Sequence, residues 1–322
     1  MVKFVDRIIF WFKNSRPYTV PITFLSWLVI FVYSLKYGGN LLSGLIAYFG
    51  IAIVHLVTNL ADDYFDYIRL SKDQNFINSA KDSKCRYLKQ GLATLGELKI
   101  VIILMLLIAA LIGLYLFFNS GFLVGIFALA GLIIALFYSK FSSKGLGDFA
   151  VILAYGPLMY EGVYYVMTEE LSYEVLILSL ACGIFVDSIL FASMILDYDE
   201  DYNSGKMTFC TRLNSKKYSL LALFMLYILG FVLIGYFSYI NHNFYCLFSL
   251  VILPLIFSLM NSLCLYNKDK TFLPEIRFWY YPLENWHKLK SDVCAPYFLR
   301  FFFARNISVW FLLIVSIAIY IK

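Results

Sequence analysis

Long apolar runs separated by short polar islands set the pattern of this chain. Stretches near the roughly twenty residues a helix needs to cross the hydrocarbon layer lie at 18–36, 41–60, 98–118, 121–138, 148–168, 174–196, 218–240, 244–266 and 307–321. The pattern predicts an all-α bundle of nine membrane-spanning helices, the last one short. Residues 1–16 set Lys3, Arg7 and Lys13 among apolar residues and carry no small-residue cleavage site. An amphipathic helix lying in the membrane interface is expected there, not a cleaved leader.

Composition agrees with the pattern. Of 322 residues, 61% are hydrophobic and 15% charged, with a mean hydropathy of +0.77, whereas soluble domains are about half apolar and a quarter charged. A soluble enzyme, a disordered chain and a fibrous repeat are excluded. The six cysteines form no CxxC pair and no metal-ligand spacing, so no disulfide framework is expected. The net charge of +5 does not point to nucleic acid, because its placement carries the information. With nine alternating helices and a cytoplasmic amino terminus, 24 of the 26 basic residues fall on the cytoplasmic side, leaving Lys36 and Lys322 outside. The long polar segments 61–97, 197–217 and 267–306 share that side, so polar chemistry belongs there. No linker or low-complexity tract divides the chain, and one domain over 1–322 is expected.

Two acidic clusters stand at helix ends in these basic segments. The second span ends in Asn59, Asp62, Asp63 and Asp66, with Asp73 beyond, and the sixth in Asp197, Asp199 and Asp201. At 100° per residue, His55, Asn59, Asp62, Asp63 and Asp66 share an arc of about 100°. Asp197 and Asp201 share a face from which Asp199 points away. Carboxylates at i, i+3 and i+4 suit Mg²⁺, a hard cation that keeps some waters and shares phosphate oxygens. A solvated acidic helix end would explain one such cluster, but two at equivalent positions are harder to dismiss. Arg69, Lys72, Lys84, Arg86 and Lys89 surround the first cluster, Lys206 and Arg212 the second, with Lys140 and Lys144 between. Carboxylates with Mg²⁺ amid Lys and Arg form a diphosphate site. Deeper in the membrane, His55, Glu161 and Asp187 are costly polar residues and candidates to read a second substrate; interhelical hydrogen bonding is the alternative role. The 31 Phe, 26 Tyr and 5 Trp are chiefly packing and interface belt, though such rings also stabilise an allylic cation by roughly 0.5–2 kcal/mol each.

With these motifs the chain resembles the UbiA superfamily of intramembrane prenyltransferases, and its segments are most similar to the MenA branch, the 1,4-dihydroxy-2-naphthoate polyprenyltransferases. Arg16 to Thr19 resembles the branch's Arg-Pro-x-Thr, Asn59 to Asp66 its Asn-x-x-Asn-Asp-Tyr-x-Asp, and Arg86 to Gly91 its Arg-x-Leu-x-x-Gly. Lys144 to Asp148, then Gly156, Pro157, Tyr164 and Tyr165, resembles the Gly-Leu-Gly-Glu, Gly-Pro and Tyr-Tyr run of the fifth helix. Asp197 to Arg212 is similar to Asp-x-Asp-x-Asp-x-x-x-Gly-Lys-x-Thr-x-x-x-Arg, with Gly205, Lys206, Thr208 and Arg212 in register. The likeness covers about residues 16–215. Three positions depart from it: Asp62 stands for the motif's second Asn, Asp73 is one residue beyond the branch's spacing, and Ser193 to Leu196 replaces Asn-Asn-x-Arg. The segment 267–306 resembles nothing familiar.

The resemblance implies transfer of a polyprenyl group from an allylic diphosphate to an aromatic quinone-precursor acceptor. Asp62, Asp63 and Asp66 would hold one Mg²⁺ and Asp197 and Asp201 a second, the two ions bridging the diphosphate. Arg86, Lys144, Lys206, Lys140, Tyr138 and Arg212 would neutralise the leaving group. His55, Asn59, Glu161 and Asp187 would line the acceptor or prenyl pocket. A transferase with a non-aromatic acceptor such as a glycerol-lipid hydroxyl, and a terpene cyclase, would keep the same metal sites. A cation transporter would need acids reaching the outer half, where neither cluster lies.

Overall fold

Each apolar run folds into a helix because hydrocarbon leaves no other partner for backbone N–H and C=O groups. The computed structural model describes residues 2–71, 85–283 and 286–322. Among these, nine helices are long and apolar enough to cross a membrane: Pro17–Lys36, Leu41–Arg69, Leu95–Ser120, Leu123–Ser143, Gly147–Thr168, Tyr173–Leu196, Lys216–Ile240, Phe244–Lys268 and Ala295–Ile321. Side-chain caps fix several starts. Asn40, Thr94, Ser172 and Ser215 each accept from the backbone N–H three residues on.

Two boundaries differ from the sequence expectation. The second helix continues to Leu70, so its whole acidic row is helical and keeps the i, i+3, i+4 geometry. The last begins at Ala295, not near 307, so twelve residues expected in a loop are helical. Arg300 and Arg305 interrupt the apolar run in the sequence. In the fold Arg300 is fully buried and donates to the carbonyls of Ser262, Pro296 and Phe272, which removes the obstacle to burying it.

The sixth and ninth spans are the most enclosed, and the third and fourth the least. Leu111 on the third is 67% exposed and Phe118 80%, which suits a lipid-facing wall. The fifth span is broken in the middle. A π turn at Ala154–Leu158 contains Pro157, and Gly156 leaves helical geometry. Gly156 lies so close to the sixth span that a Cβ there would come within 2.8 Å of the Ser179 carbonyl. The amino-terminal helix Val2–Asn14 exposes Val5, Ile8, Ile9 and Phe12 and buries Trp11. Its Arg7 pairs with Glu97 at 2.6 Å, tying it to the start of the third span.

Candidate active site

Both acidic rows lie at the same end of the bundle, since each closes an even-numbered span. Most of their partners come from distant parts of the chain. Asp63 is 1% exposed and paired with Arg16, whose guanidinium also lies 4.0 Å from Asp62. Arg16 stands just before the first span with φ of 59°, a left-handed conformation that a non-glycine residue adopts at some energetic expense. Burial lowers the pKa of this guanidinium, but the charges of Asp63 and Asp62 outweigh that and raise it above its ordinary value. Asp66 accepts from Arg69 at 2.6 Å and from the Ser139 hydroxyl at 3.3 Å, which joins the second span to the fourth. Asp73, Lys72 and Lys84 lie outside the described residues.

In the second row, Asp197 sits where the sixth span stops, and a short helix, Tyr198–Asn203, carries Asp201. The Asp201 backbone N–H donates to the Asp197 carbonyl at 2.9 Å, so the two carboxylates remain one turn apart. Asp201 accepts from Lys206 at 3.0 Å, and Asp197 from the Tyr297 hydroxyl at 3.1 Å. Burial, then the charge of Asp201, pushes the Asp197 carboxyl up to about 6. Asp199 points away to Lys216 at 2.7 Å and Lys270 at 3.0 Å. Burial tends to raise it, but the two ammonium groups prevail and hold it below the ordinary carboxylate value. Tyr297 and Lys270 both lie in the segment that no resemblance covered, so that segment serves the second row.

Among the described residues, no group of three or more His, Cys, Asp or Glu side chains forms a ready metal cage. The donor set still fits Mg²⁺, which takes one or two carboxylates and completes its shell with waters and substrate phosphate oxygens.

The basic residues divide. Lys206 is on its carboxylate, while Lys140, Lys144 and Arg86 are exposed at the same end. Arg212 instead donates to the Lys144 backbone carbonyl at 2.5 Å, beside a bridge between Lys144 and Met207. The contact closes the 139–147 segment onto the 197–217 segment. Gly145, with φ of +69°, is required there, because a Cβ would stand 2.8 Å from the Arg212 Nε.

A cavity of about 930 Å³ runs between the first six spans. Its wall is mostly apolar, with polar groups gathered near the acidic rows: Thr19, Thr23, His55, Asn59, Tyr138 and Tyr155. Tyr138 neighbours the Ser139 that binds Asp66, and Ser193, also on the wall, is one turn before Asp197. Of the four expected pocket residues, His55 and Asn59 reach the cavity; Glu161 and Asp187 do not. Glu161 is 8% exposed and accepts from the Ser172 N–H at 3.4 Å, toward the other end. Asp187 is fully buried, with both carboxyl oxygens lacking a hydrogen-bond partner and with Asp148 and Tyr227 as electrostatic neighbours. Sequence reasoning missed Ser139, Tyr155 and Tyr297 as site residues. No local signal marks Ser139 or Tyr297, and Tyr155 is signalled only by its place beside the Gly156–Pro157 break.

A sequence model of the UbiA prenyltransferase family matches residues 24–280. The 1,4-dihydroxy-2-naphthoate octaprenyltransferase of Haemophilus influenzae is 26% identical over 235 residues, which is 66% of this chain and 71% of that protein. The protein of the same name from Escherichia coli K12 is 27% identical over 228 residues, 66% of this chain and 72% of its own. Among solved structures, a digeranylgeranylglyceryl phosphate synthase superposes with a TM-score of 0.64 at 16% identity, covering 98% of this chain and 100% of that one. A UbiA homologue from Archaeoglobus fulgidus bound to GPP and Mg²⁺ superposes with a TM-score of 0.57 at 14% identity, covering 97% and 99%. At such identities the structural likeness establishes the fold.

Proposed function

Since the chain belongs to the UbiA prenyltransferase family and is a multi-pass membrane prenyltransferase, we propose that it transfers a polyprenyl group from an allylic diphosphate to a naphthoate-type aromatic acceptor, with Mg²⁺, as a single membrane domain. The observation that carries this reading is two carboxylate rows beside one end of a largely apolar cavity. The two curated relatives are named for a dihydroxynaphthoate acceptor. The Archaeoglobus neighbour carries a prenyl diphosphate and Mg²⁺. The gathering of basic residues at the acidic-row end, with Lys36 and Lys322 at the other, supports a cytoplasmic active-site end and amino terminus.

In this reading Asp62 and Asp66 would hold one ion and Asp197 and Asp201 the other. Asp63, buried beneath Arg16, fixes that guanidinium and the helix end. Bound Mg²⁺ supplies Lewis-acid neutralisation of the departing diphosphate. Lys206, Lys144, Lys140 and Arg86 add positive charge around it. The C–O bond to the diphosphate breaks and its electron pair leaves with the phosphate. The apolar wall holds the isoprenoid tail and keeps water from the allylic cation. The acceptor carbon forms the new C–C bond, and loss of its ring proton restores aromaticity. Arg212 acts as the clasp between the two segments at this end.

The test is incubation of the protein in membranes with Mg²⁺, labelled geranylgeranyl diphosphate and a panel of dihydroxynaphthoate, 4-hydroxybenzoate, homogentisate and a glycerol phosphate. Magnesium-dependent label on dihydroxynaphthoate is expected. Label on the glycerol phosphate alone, or a cyclic hydrocarbon with no acceptor consumed, would overturn the aromatic assignment.

A further inference from the structure

The fifth and sixth spans run antiparallel and approach closely at their glycines. A Cβ at Gly156 would stand 2.8 Å from the Ser179 carbonyl, and one at Gly183 would stand 2.8 Å from the Ile152 carbonyl. From the first contact to the second, the register moves four residues back along the fifth span and four forward along the sixth, as packed i±4 ridges require. One further step of the same size brings Asp148 opposite Asp187.

Both carboxyls are sealed inside the protein. Asp148 is 6% exposed and Asp187 0%, and none of their four oxygens has a hydrogen-bond partner. Tyr227, on the seventh span, is 1% exposed. Its hydroxyl lies beside Ser188 without forming a hydrogen bond. The groups that face the pair are Tyr227 and the buried Cys210 thiol, which comes from the segment after the second acidic row. Among the described residues, no Lys, Arg or His reaches either carboxyl.

Two carboxyls at this depth need positive charge, because each disfavours the ionisation of the other and burial penalises both. Protons can bridge one carboxyl to the other, but they leave the phenol oxygen out. A hard cation draws on all five oxygens. Mg²⁺ does not suit a site closed to solvent, since it keeps several waters, whereas Ca²⁺ accepts an irregular shell of protein oxygens. Na⁺ is bound by oxygens where membrane helices break, and the fifth span breaks at Ala154–Leu158.

We propose that Asp148, Asp187 and Tyr227 form a further cation site, separate from the two carboxylate rows, which takes a dehydrated Ca²⁺ or Na⁺ and ties the fifth span to the sixth and seventh. Ca²⁺ cancels both carboxylate charges; Na⁺ does so with one proton retained on the pair. Asp187 is ten residues from Asp197, about 15 Å along the sixth span, so the site does not share ions with the second row. Ala150, Val151 and Val186 of the same two spans line the large cavity, and a cation here would fix that wall from behind. The site is independent of which acceptor is prenylated.

The experiment uses the full chain in lipid nanodiscs, stripped with EDTA and returned to N-methylglucamine chloride with a fixed Mg²⁺ concentration. CaCl₂ or NaCl is then added at constant ionic strength. The melting temperature should rise by about 5 °C once one of these cations exceeds its Kd about a hundredfold, and the cation that does so identifies the occupant. Infrared difference spectra should show carboxylic-acid C=O absorption converted to carboxylate bands by the same cation. Asp148→Asn and Asp187→Asn should each abolish both responses, while Asp66→Asn, in the first acidic row, should keep them.

A wild type whose melting temperature and acid absorption respond to neither cation would overturn the proposal with no variant needed, and would show a pair that holds protons only. Responses that survive in both Asp148→Asn and Asp187→Asn, or that vanish in Asp66→Asn, would place the cation elsewhere and also overturn it.

Discussion

Tyr297 donates its hydroxyl to the Asp197 carboxylate at 3.1 Å across 100 residues of sequence. Tyr297 belongs to the first turn of the last span and Asp197 to the end of the sixth, so the carboxylate is oriented from a different helix. Tyr297→Phe removes that bond and keeps the ring. It is expected to raise the Mg²⁺ concentration for half-maximal activity by about threefold to tenfold, the size of one ordinary net hydrogen bond. Binding of Mn²⁺, followed by its paramagnetic resonance signal, should weaken in parallel. Unaltered metal binding would mean that Tyr297 only packs.

Loss of a carboxylate should act on chemistry and not on folding. Asp66→Asn and Asp197→Asn should each lower turnover by at least about a hundredfold, while the melting temperature in detergent stays close to that of the parent. Removing Mg²⁺ with EDTA should stop turnover reversibly. Wild-type rates in either variant would remove that residue from the metal assignment.

Gly131 and Gly113 line the cavity with open space where a Cβ would stand. Gly131 is seven residues from Tyr138, about 10 Å along the fourth span. Leucine at 131 should block the deeper part and shift preference toward short prenyl donors, lowering turnover of geranylgeranyl diphosphate by about tenfold relative to geranyl diphosphate. Competition between the two labelled donors measures the ratio, and an unchanged ratio would show that the chain runs elsewhere.

Arg300 is the largest fully buried side chain and holds three carbonyls from the eighth span, the following loop and its own helix. Arg300→Met would remove all three bonds, including the one that ties the loop carbonyl of Phe272 to the last span, and is expected to destabilise the fold by about 3 kcal/mol. A lower melting temperature in detergent, with faster proteolysis within 269–283, would show it.

The nine spans were legible because hydrocarbon demands unbroken apolar runs, and the one large boundary error came where Arg300 and Arg305 broke such a run. The acidic rows were legible because helical spacing is local. Their partners were not, since Arg16 and Asp63 are 47 positions apart and Ser139 and Asp66 are 73. The orientation of Asp187 and Glu161 was also hidden. The sixth span is enclosed by protein on nearly every side, so it carries no apolar stripe to show which face meets the cavity. His55 was read from its position, but its hydroxyl partners Thr19, Thr23 and Tyr155 come from two other spans.

The bond from Arg212 to residue 144 ends on a backbone carbonyl. Any amino acid at 144 offers that same oxygen, so the clasp does not constrain the side chain there. Natural variation can retune the charge beside the phosphate at this position without loosening the fold. Lys144 can likewise be replaced in the laboratory to read its electrostatic share alone, which is not possible for Arg212, where charge and architecture reside in one group.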